Sequence, residues 1–198
     1  MQNDRNVDRY LFGAGAINEL GEILSKRRTS SNGTAVFLVD EYFERHPESL
    51  TTLPYDTDDQ LIYVSTKSEP TTEYIDDLVR QVARRDDSLP CAVVGIGGGC
   101  TLDTAKALSN LLTNGGQATD YQGWDLVKVP GIYKIGIPTL SGTGAEATRT
   151  CVMTNQENGL KLGMNSDYTV FDQLILDPDL TLTVPKGQYF FSGMDTWI

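Results

Sequence analysis

The chain has 198 residues and carries 27 acidic against 16 basic side chains, so its formal net charge at pH 7 is −11. A surface of this sign repels a phosphate backbone, and since no basic stripe interrupts it, nucleic acid is not an expected partner. The three cysteines have no CxxC spacing and no segment approaches the ~20 consecutive apolar residues of a membrane span, which argues against a disulfide scaffold, a zinc knuckle and a membrane protein.

Nothing in the sequence directs the chain out of the cell. Residues 1–9 contain no apolar signal-peptide core, and no lipidation motif is present. An odd number of cysteines is typical of a reducing compartment. We therefore predict a cytoplasmic protein.

Short apolar strands alternate with amphipathic helices through the first half of the chain. Strands are predicted at 35–40, 61–64 and 91–94, and helices at 16–27 and 72–85, where apolar residues recur at helical spacing. This alternation is typical of βαβ units, in which helices cover both faces of a parallel sheet. The first 115 or so residues are therefore predicted to form a doubly wound, Rossmann-like α/β domain.

A second section is predicted to follow, with strands at 134–138 and 170–176. The Asn-Gly pair at 158–159 lies between two apolar stretches and is a strong β-hairpin signal. From about Gly187 the pattern indicates an apolar helix that runs to the end of the chain. We expect residues 1–186 to form a nucleotide-binding α/β domain and residues 187–198 to begin a helical, metal-binding domain that this sequence does not complete.

The stretch around Gly97-Gly98-Gly99, called the first turn below, joins a buried strand to a helix. Glycines let a ligand approach the main chain, and a helix N-terminus carries partial positive charge, so this turn can hold a diphosphate without lysine or arginine. A P-loop is excluded, because Lys106 lacks the Gly-Lys-Ser/Thr context. A purely structural strand-to-helix turn is the alternative.

Residues 138–146, called the second turn below, also follow a predicted strand and contain three hydroxyls, on Thr139, Ser141 and Thr143. Short hydroxyl side chains supply donors and acceptors beside a polar ligand. The alternative is a hydroxyl-rich cap on the segment that follows.

Asp40 ends the predicted strand at 35–40. An acid at this place in dinucleotide folds can bond the ribose hydroxyls and reject a 2′-phosphate, which favours NAD over NADP. A solvated loop acid, or a helix-start signal together with Glu41, is the competing interpretation.

Three further residues have two interpretations each. Cys100 lies at a helix N-terminus, where a thiolate is favoured, or it is a packing residue. Arg149 can bind a substrate carboxylate through a bidentate contact, or it is a surface arginine on a strand. His46, the only histidine, precedes a proline and is predicted to lie in a surface loop.

The stretch 97–106, Gly-Gly-Gly-Cys-Thr-Leu-Asp-Thr-Ala-Lys, and the second turn, Pro-Thr-Leu-Ser-Gly-Thr-Gly-Ala-Glu, together resemble the paired signature of the iron-dependent (group III) alcohol dehydrogenases. The order and spacing match, and further likeness lies at 10–13, 69–71 and 176–180. Segments 121–126 and 162–168 most resemble the branch that contains 3-deoxy-manno-octulosonate 8-oxidase. The resemblance implies an N-terminal nucleotide-binding domain, a following helical domain, and an active site in the cleft between them.

The resemblance also implies a set of cofactor-facing residues: Gly97, Gly98, Gly99, Asp103, Thr139, Ser141, Thr143 and Lys161. Of these, the hydroxyls would surround the pyrophosphate and nicotinamide end, and Lys161 would reach the nicotinamide ribose. Asp103 has an equally strong alternative as an acid stabilised by the helix dipole and paired with Lys106. An exposed hairpin lysine is the alternative for Lys161.

Asp195 lies in a segment, 192–198, that resembles the place of the family's first metal-binding carboxylate. A helical partner at i+4 would fall beyond Ile198, and one aspartate cannot complete a four-ligand divalent site. No catalytic residue is identifiable in these 198 residues.

The resemblance implies an alcohol dehydrogenase that depends on NAD and on a divalent metal, Fe²⁺ or Zn²⁺. It would transfer hydride between nicotinamide and a primary alcohol of a small molecule, with a sugar acid suggested by the branch, and it would form a homodimer. This part of the protein alone is expected to be inactive. The alternatives are a dehydroquinate-synthase-like lyase and a catalytically silent nucleotide-binding module.

Overall fold

The computed structural model describes residues 6–29, 33–50, 53–85 and 88–197. Nine strands are present in this part: β1 Arg9–Phe12, β2 Ala35–Asp40, β3 Gln60–Val64, β4 Ala92–Gly97, β5 Gly123–Trp124, β6 Lys134–Pro138, β7 Thr150–Thr154, β8 Lys161–Asn165 and β9 Gln173–Leu176. The α-helices are α1 Leu20–Ser25, α2 Tyr42–Arg45, α3 Thr72–Arg85, α4 Gly99–Asn114 and α5 Lys186–Trp197.

Six strands form one parallel sheet in the order β1-β9-β6-β4-β2-β3. β4 is buried along its whole length, as expected of a parallel strand covered on both faces. The chain runs from β2 outward to β3 and then returns to β4 on the other side of β2, so the winding reverses between β2 and β4. In open α/β sheets, the carboxyl ends of the strands beside such a reversal border the ligand crevice.

The two faces of the sheet bury separate hydrophobic clusters, because successive strand residues point to opposite sides. Phe37 packs with α1 and α2 residues such as Leu24 and Phe43. Leu38, its neighbour, packs on the other face with Leu78 of α3 and Leu102 of α4. The prediction of a parallel α/β sheet with helices on both faces is confirmed. Each fully buried Phe or Leu side chain contributes roughly 1.5–3 kcal/mol of transfer free energy.

A smaller, inserted sheet has three strands in the order β5-β8-β7. Of these, β5 precedes β6 in the chain, whereas β7 and β8 lie between β6 and β9. β7 and β8 form the predicted hairpin, and Gly159 in its loop has a φ of 70°, a conformation that favours glycine. Cys151 and Met164 pack the hairpin against Leu111 of α4. The insertion is therefore attached to the same helix that begins at the first turn.

Three sequence-based predictions need correction. The helix predicted at 16–27 is a 3-10 turn, Ala16–Glu19, followed by the short α1. The strand predicted at 170–176 begins only at Gln173, because the 3-10 turn Asp167–Thr169 leads directly into a buried connection. The division near residue 115 is wrong, since β6 and β9 lie in the same sheet as β2 and β4.

Within the described ranges, no helix is long and apolar enough to cross a membrane.

Candidate functional site

A cleft of about 550 Å³ opens at the carboxyl ends of β2, β4 and β6. It lies beside the reversal of winding between β2 and β4, where the fold places ligands. Six of the predicted site residues line it: Asp40, Gly98, Gly99, Thr139, Thr143 and Asp195. The last of these lies on α5, which borders the cleft on the side away from the sheet.

The first turn leaves the N-terminus of α4 without a side-chain cap. Gly98 is the N-cap residue and has no side chain to accept from the first-turn amides, which lack partners inside the helix. Gly97 has a φ of 157°, and a Cβ there would lie 2.7 Å from the Thr101 hydroxyl oxygen. Glycine at this position thus lets the strand end directly against the first turn of the helix, while the Gly98 amide donates to the Asp40 carboxylate.

The second turn packs directly against the first. The Thr139 amide donates to the Gly97 carbonyl at 3.0 Å. A Cβ on Gly99 would lie 3.0 Å from the Thr143 hydroxyl oxygen, so this hydroxyl lies against the start of α4. The two turns therefore present main-chain amides and hydroxyls to the same space.

Asp40 lines the cleft from the end of β2. Its Oδ1 accepts from the Tyr42 amide at 2.9 Å and from the Thr66 hydroxyl at 3.4 Å. Burial raises the pKa of the Asp40 carboxyl above its ordinary value, and the bond from Tyr42 opposes that rise. Both interpretations of this residue have support, because Asp40 bonds the first turn of α2 and also faces the cleft.

The match to known proteins covers most of this architecture. The family model described as iron-containing alcohol dehydrogenase matches residues 8–178. The chain belongs to the iron-containing alcohol dehydrogenase family. The resemblance read from the two turns is thereby confirmed at the level of the family.

Individual relatives agree with the family. Over 106 residues the chain is 42% identical to sulfoacetaldehyde reductase of Bilophila wadsworthia (strain 3_1_6), covering 54% of this chain and 27% of that protein. Over 104 residues it is 38% identical to NAD-dependent methanol dehydrogenase of Bacillus methanolicus, covering 52% and 27%.

Among solved structures, an alcohol dehydrogenase from Oenococcus oeni superposes with a TM-score of 0.84 at 25% identity, covering 98% of this chain and 51% of that one. The chain thus spans about half of the solved family structure. The curated relatives are likewise matched over only 27% of their length.

Four predicted site residues of the family signature do not line the cleft: Gly97, Asp103, Ser141 and Lys161. Gly97 is buried, and Ser141 is exposed to solvent on the second turn. Lys161, the first residue of β8, forms an ion pair with Glu69. These positions stay predictions for a cofactor contact.

Asp103 is partly buried and contacts the inserted sheet. Its Oδ2 accepts from the Val152 amide at 3.0 Å. Burial raises the pKa of the carboxyl from 3.8 to about 6, while the charge of Lys106 acts in the opposite direction. The charge of Lys106 thus acts on Asp103 without a direct bond between the two side chains, and the bond of Asp103 to β7 was not indicated by the sequence.

Asp195 is exposed on α5 and lines the cleft. In the part of the chain that the structure describes, no three His, Cys, Asp or Glu residues are grouped so that they could hold a metal ion. His46 stacks on Tyr42 with ring centroids 4.2 Å apart and pairs with Glu48. In the described part of the chain, the residues around Asp195 do not by themselves supply the ligands of a metal ion.

The structure disfavours the functional interpretation of two residues, Cys100 and Arg149. Burial, with the charge of Asp103 adding to it, raises the pKa of the Cys100 thiol, which disfavours a thiolate. Arg149 is bonded to Asp125 at 2.7 Å and to Asp167 at 3.0 Å, and it does not line the cleft.

Sequence reasoning missed polar residues that the fold brings to the cleft. Thr66 lies two residues after the end of β3, beside Asp40 at the end of β2, and Glu146 lies at the end of the second turn. Position at a strand end was the available signal for Thr66. Gln188 on α5 had no such signal, because the packing of that helix over the cleft depends on the tertiary fold.

Proposed function

We propose that the chain forms the dinucleotide-binding part of an NAD-dependent alcohol dehydrogenase. The observation that carries the proposal is the meeting of the first and second turns over the uncapped N-terminus of α4. An anion bound there accepts hydrogen bonds from main-chain amides and is favoured by the helix dipole, by up to ~2 kcal/mol in a partly buried site.

The predicted site residues that line the cleft at the strand ends each have a part in this proposal. The main-chain amides of the first turn of α4, starting at Gly99, would hold the diphosphate, and the hydroxyls of Thr139 and Thr143 would donate to it or to the adjoining ribose. Asp40 would accept from the adenine ribose hydroxyls, and its charge would repel a 2′-phosphate. When bound, the dinucleotide supplies the hydride acceptor for oxidation of an alcohol. The relative from Bacillus methanolicus, named as NAD-dependent, supports the same choice of cofactor.

The domain limits predicted from the sequence are part of the proposal. Residues 1–186 would form the NAD-binding domain, and residues 187–198 would begin a helical, metal-binding domain. In support, α5 begins at Lys186 and carries no buried residue, and the Thr196 hydroxyl donates to the Gly142 carbonyl at 3.4 Å. Asp195 would contribute one carboxylate to a site for Fe²⁺ or Zn²⁺.

A primary alcohol of a small molecule is the proposed substrate class, and a sugar acid is the narrower suggestion. Cytoplasmic location and a homodimer remain predictions. A dehydroquinate-synthase-like lyase would need cationic residues for a phosphorylated substrate, whereas no lysine, arginine or histidine is among the described residues that line the cleft.

Thermal unfolding of the 198-residue chain with and without NAD tests the proposal. A ligand at 100 times its Kd stabilises the folded state by about 2.7 kcal/mol. We expect NAD to raise the unfolding temperature and NADP to raise it less. An unchanged unfolding temperature at saturating NAD would contradict the proposed function, and a larger effect of NADP would contradict the role of Asp40.

A further inference from the structure

The second turn lines the cleft without forming a helix or strand. From the end of β6 at Pro138 to the start of β7 at Thr150, the backbone is irregular. The Ala147 amide donates to the Gly144 carbonyl at 2.9 Å, and the Thr139 amide is bonded to the first turn. An irregular segment needs other bonds to keep one conformation, because the conformational entropy lost by each ordered residue opposes it.

Lys106 supplies such bonds from the interior of α4. Its side chain is completely buried. The Nζ donates to three main-chain carbonyls, those of Ala145 at 2.5 Å, Thr148 at 2.9 Å and Thr150 at 2.9 Å. The Thr148 hydroxyl oxygen lies 3.1 Å from the same Nζ. A single ammonium thus connects the end of the second turn to the start of β7.

The chemistry of these contacts requires a cation. Hydrogen bonds from an ionised donor are stronger than neutral ones, and the ammonium has three donors and no acceptor, which suits converging carbonyls. Asp103, one helical turn earlier, opposes the loss of the Lys106 proton that burial favours. The same Asp103 bonds the Val152 amide, so both side chains connect α4 to the segment that follows the second turn.

We propose that Lys106 is a positioning residue for dinucleotide binding. It does not line the cleft. It joins the helix whose N-terminus would hold the diphosphate to the segment that carries the Thr143 hydroxyl, and so it sets the distance between them. This inference rests on the proposed function for its ligand, whereas the effect on the second turn is independent of any ligand.

Lys134 offers a matched control. It is also a buried lysine, and its Nζ lies 3.6 Å from the Asp172 carboxylate. It lies at the amino end of β6, whereas the cleft opens at the carboxyl end of the same strand. Replacing either lysine by methionine removes a buried ammonium of the same size, and both changes are expected to lower thermal stability.

The experiment compares the chain with its Lys106→Met and Lys134→Met variants. Hydrogen exchange followed by mass spectrometry measures the amides of residues 142–150 without ligand, and calorimetric titration measures the Kd for NAD. We expect Lys106→Met to accelerate exchange in this segment and to raise the Kd by about tenfold or more, since hydrogen bonds from a charged donor are stronger than those between neutral groups. Lys134→Met is expected to change neither.

Two results would overturn the inference: unchanged exchange of residues 142–150 in Lys106→Met, or a Kd that rises equally in the two variants. If Lys106→Met fails to fold, Thr148→Val removes one acceptor of the ammonium with little change in volume. A smaller shift in the same two measurements is then expected, and no shift would contradict the inference. If the unaltered chain does not bind NAD, the proposed function fails, while the exchange comparison still tests the role of Lys106.

Discussion

The first turn leads directly into the regular hydrogen bonding of α4, whereas the second turn is followed by irregular backbone until β7 begins at Thr150. Close packing fixes the first: a Cβ on Gly97 would meet Thr101. Side-chain bonds to the main chain fix the second, chiefly those of Lys106. The same ligand would therefore contact the first turn, where close packing leaves no room for an added methyl group, and the second turn, whose conformation depends on the buried Lys106 ammonium.

The largest effect is expected from adding one methyl group to the first turn. In Gly97→Ala, the new Cβ would lie within 3.0 Å of Thr101 and Asp40, and the φ of 157° is unfavourable for alanine. We expect a loss of about 2–4 kcal/mol in the free energy of unfolding, measured by urea denaturation, together with loss of NAD binding. Gly187→Ala is the control, because nothing lies within 4 Å of its added Cβ. A Gly97→Ala variant as stable as this control would show that the first turn is not closely packed.

The second expected effect concerns the pH dependence of the segment that follows the second turn. The pKa of Asp103 is about 6 in the folded chain against an ordinary value of 3.8. The folded state therefore binds the proton more tightly, and this contribution to stability is present below pH 3.8 and is lost as pH rises through 6. In the unaltered chain, the free energy of unfolding should therefore fall as pH rises through 6, and Asp103→Asn should make this fall smaller by roughly 1–2 kcal/mol. Urea denaturation from pH 3.5 to 7 measures it, and an unchanged slope would contradict the burial of this carboxyl.

A smaller effect is expected where β2 meets the cleft. Asp40→Asn keeps an oxygen for the Tyr42 amide and removes the charge. The preference for NAD over NADP, measured as the ratio of the two Kd values, should fall by about tenfold. Glu41→Gln is the matched control, since Glu41 is adjacent and does not line the cleft. Equal Kd ratios in the two variants would show that the charge of Asp40 does not set the preference for NAD.

The smallest effect on stability is expected at the hairpin. Lys161 pairs with Glu69, and both side chains are about half exposed. An exposed pair contributes ~0–1 kcal/mol, so Lys161→Met should change the free energy of unfolding by less than about 0.5 kcal/mol. If Lys161 reaches the nicotinamide ribose, affinity for NAD falls while affinity for ADP stays constant. An unchanged affinity for NAD would leave Lys161 as a surface residue.

Regular elements at the site were predictable from local pattern. The strand at 35–40, the strand at 134–138 and the helix at 72–85 have the limits expected from apolar periodicity. The first turn was also predictable, because consecutive glycines between a buried apolar strand and a helical pattern indicate a tight strand-to-helix connection. These features depend on residues close together in the chain.

The remaining features depend on contacts between distant segments. The bonds of Lys106 to carbonyls about 40 residues further along the chain could not be read from its position in an apolar helix. The burial of Asp103 against β7 required the inserted sheet. Likewise, β6 and β9 belong to the six-stranded sheet. The periodicity of the sequence predicts individual strands but not which strands pair with one another.

Nuclear magnetic resonance of the ¹⁵N-labelled chain, titrated with NAD, tests the central claim most directly. If main-chain amides of the two turns hold the diphosphate, the largest changes in chemical shift will fall on Gly98, Gly99 and Thr143. Saturable changes elsewhere that leave these three amides unaffected, or no changes at all, would contradict the account.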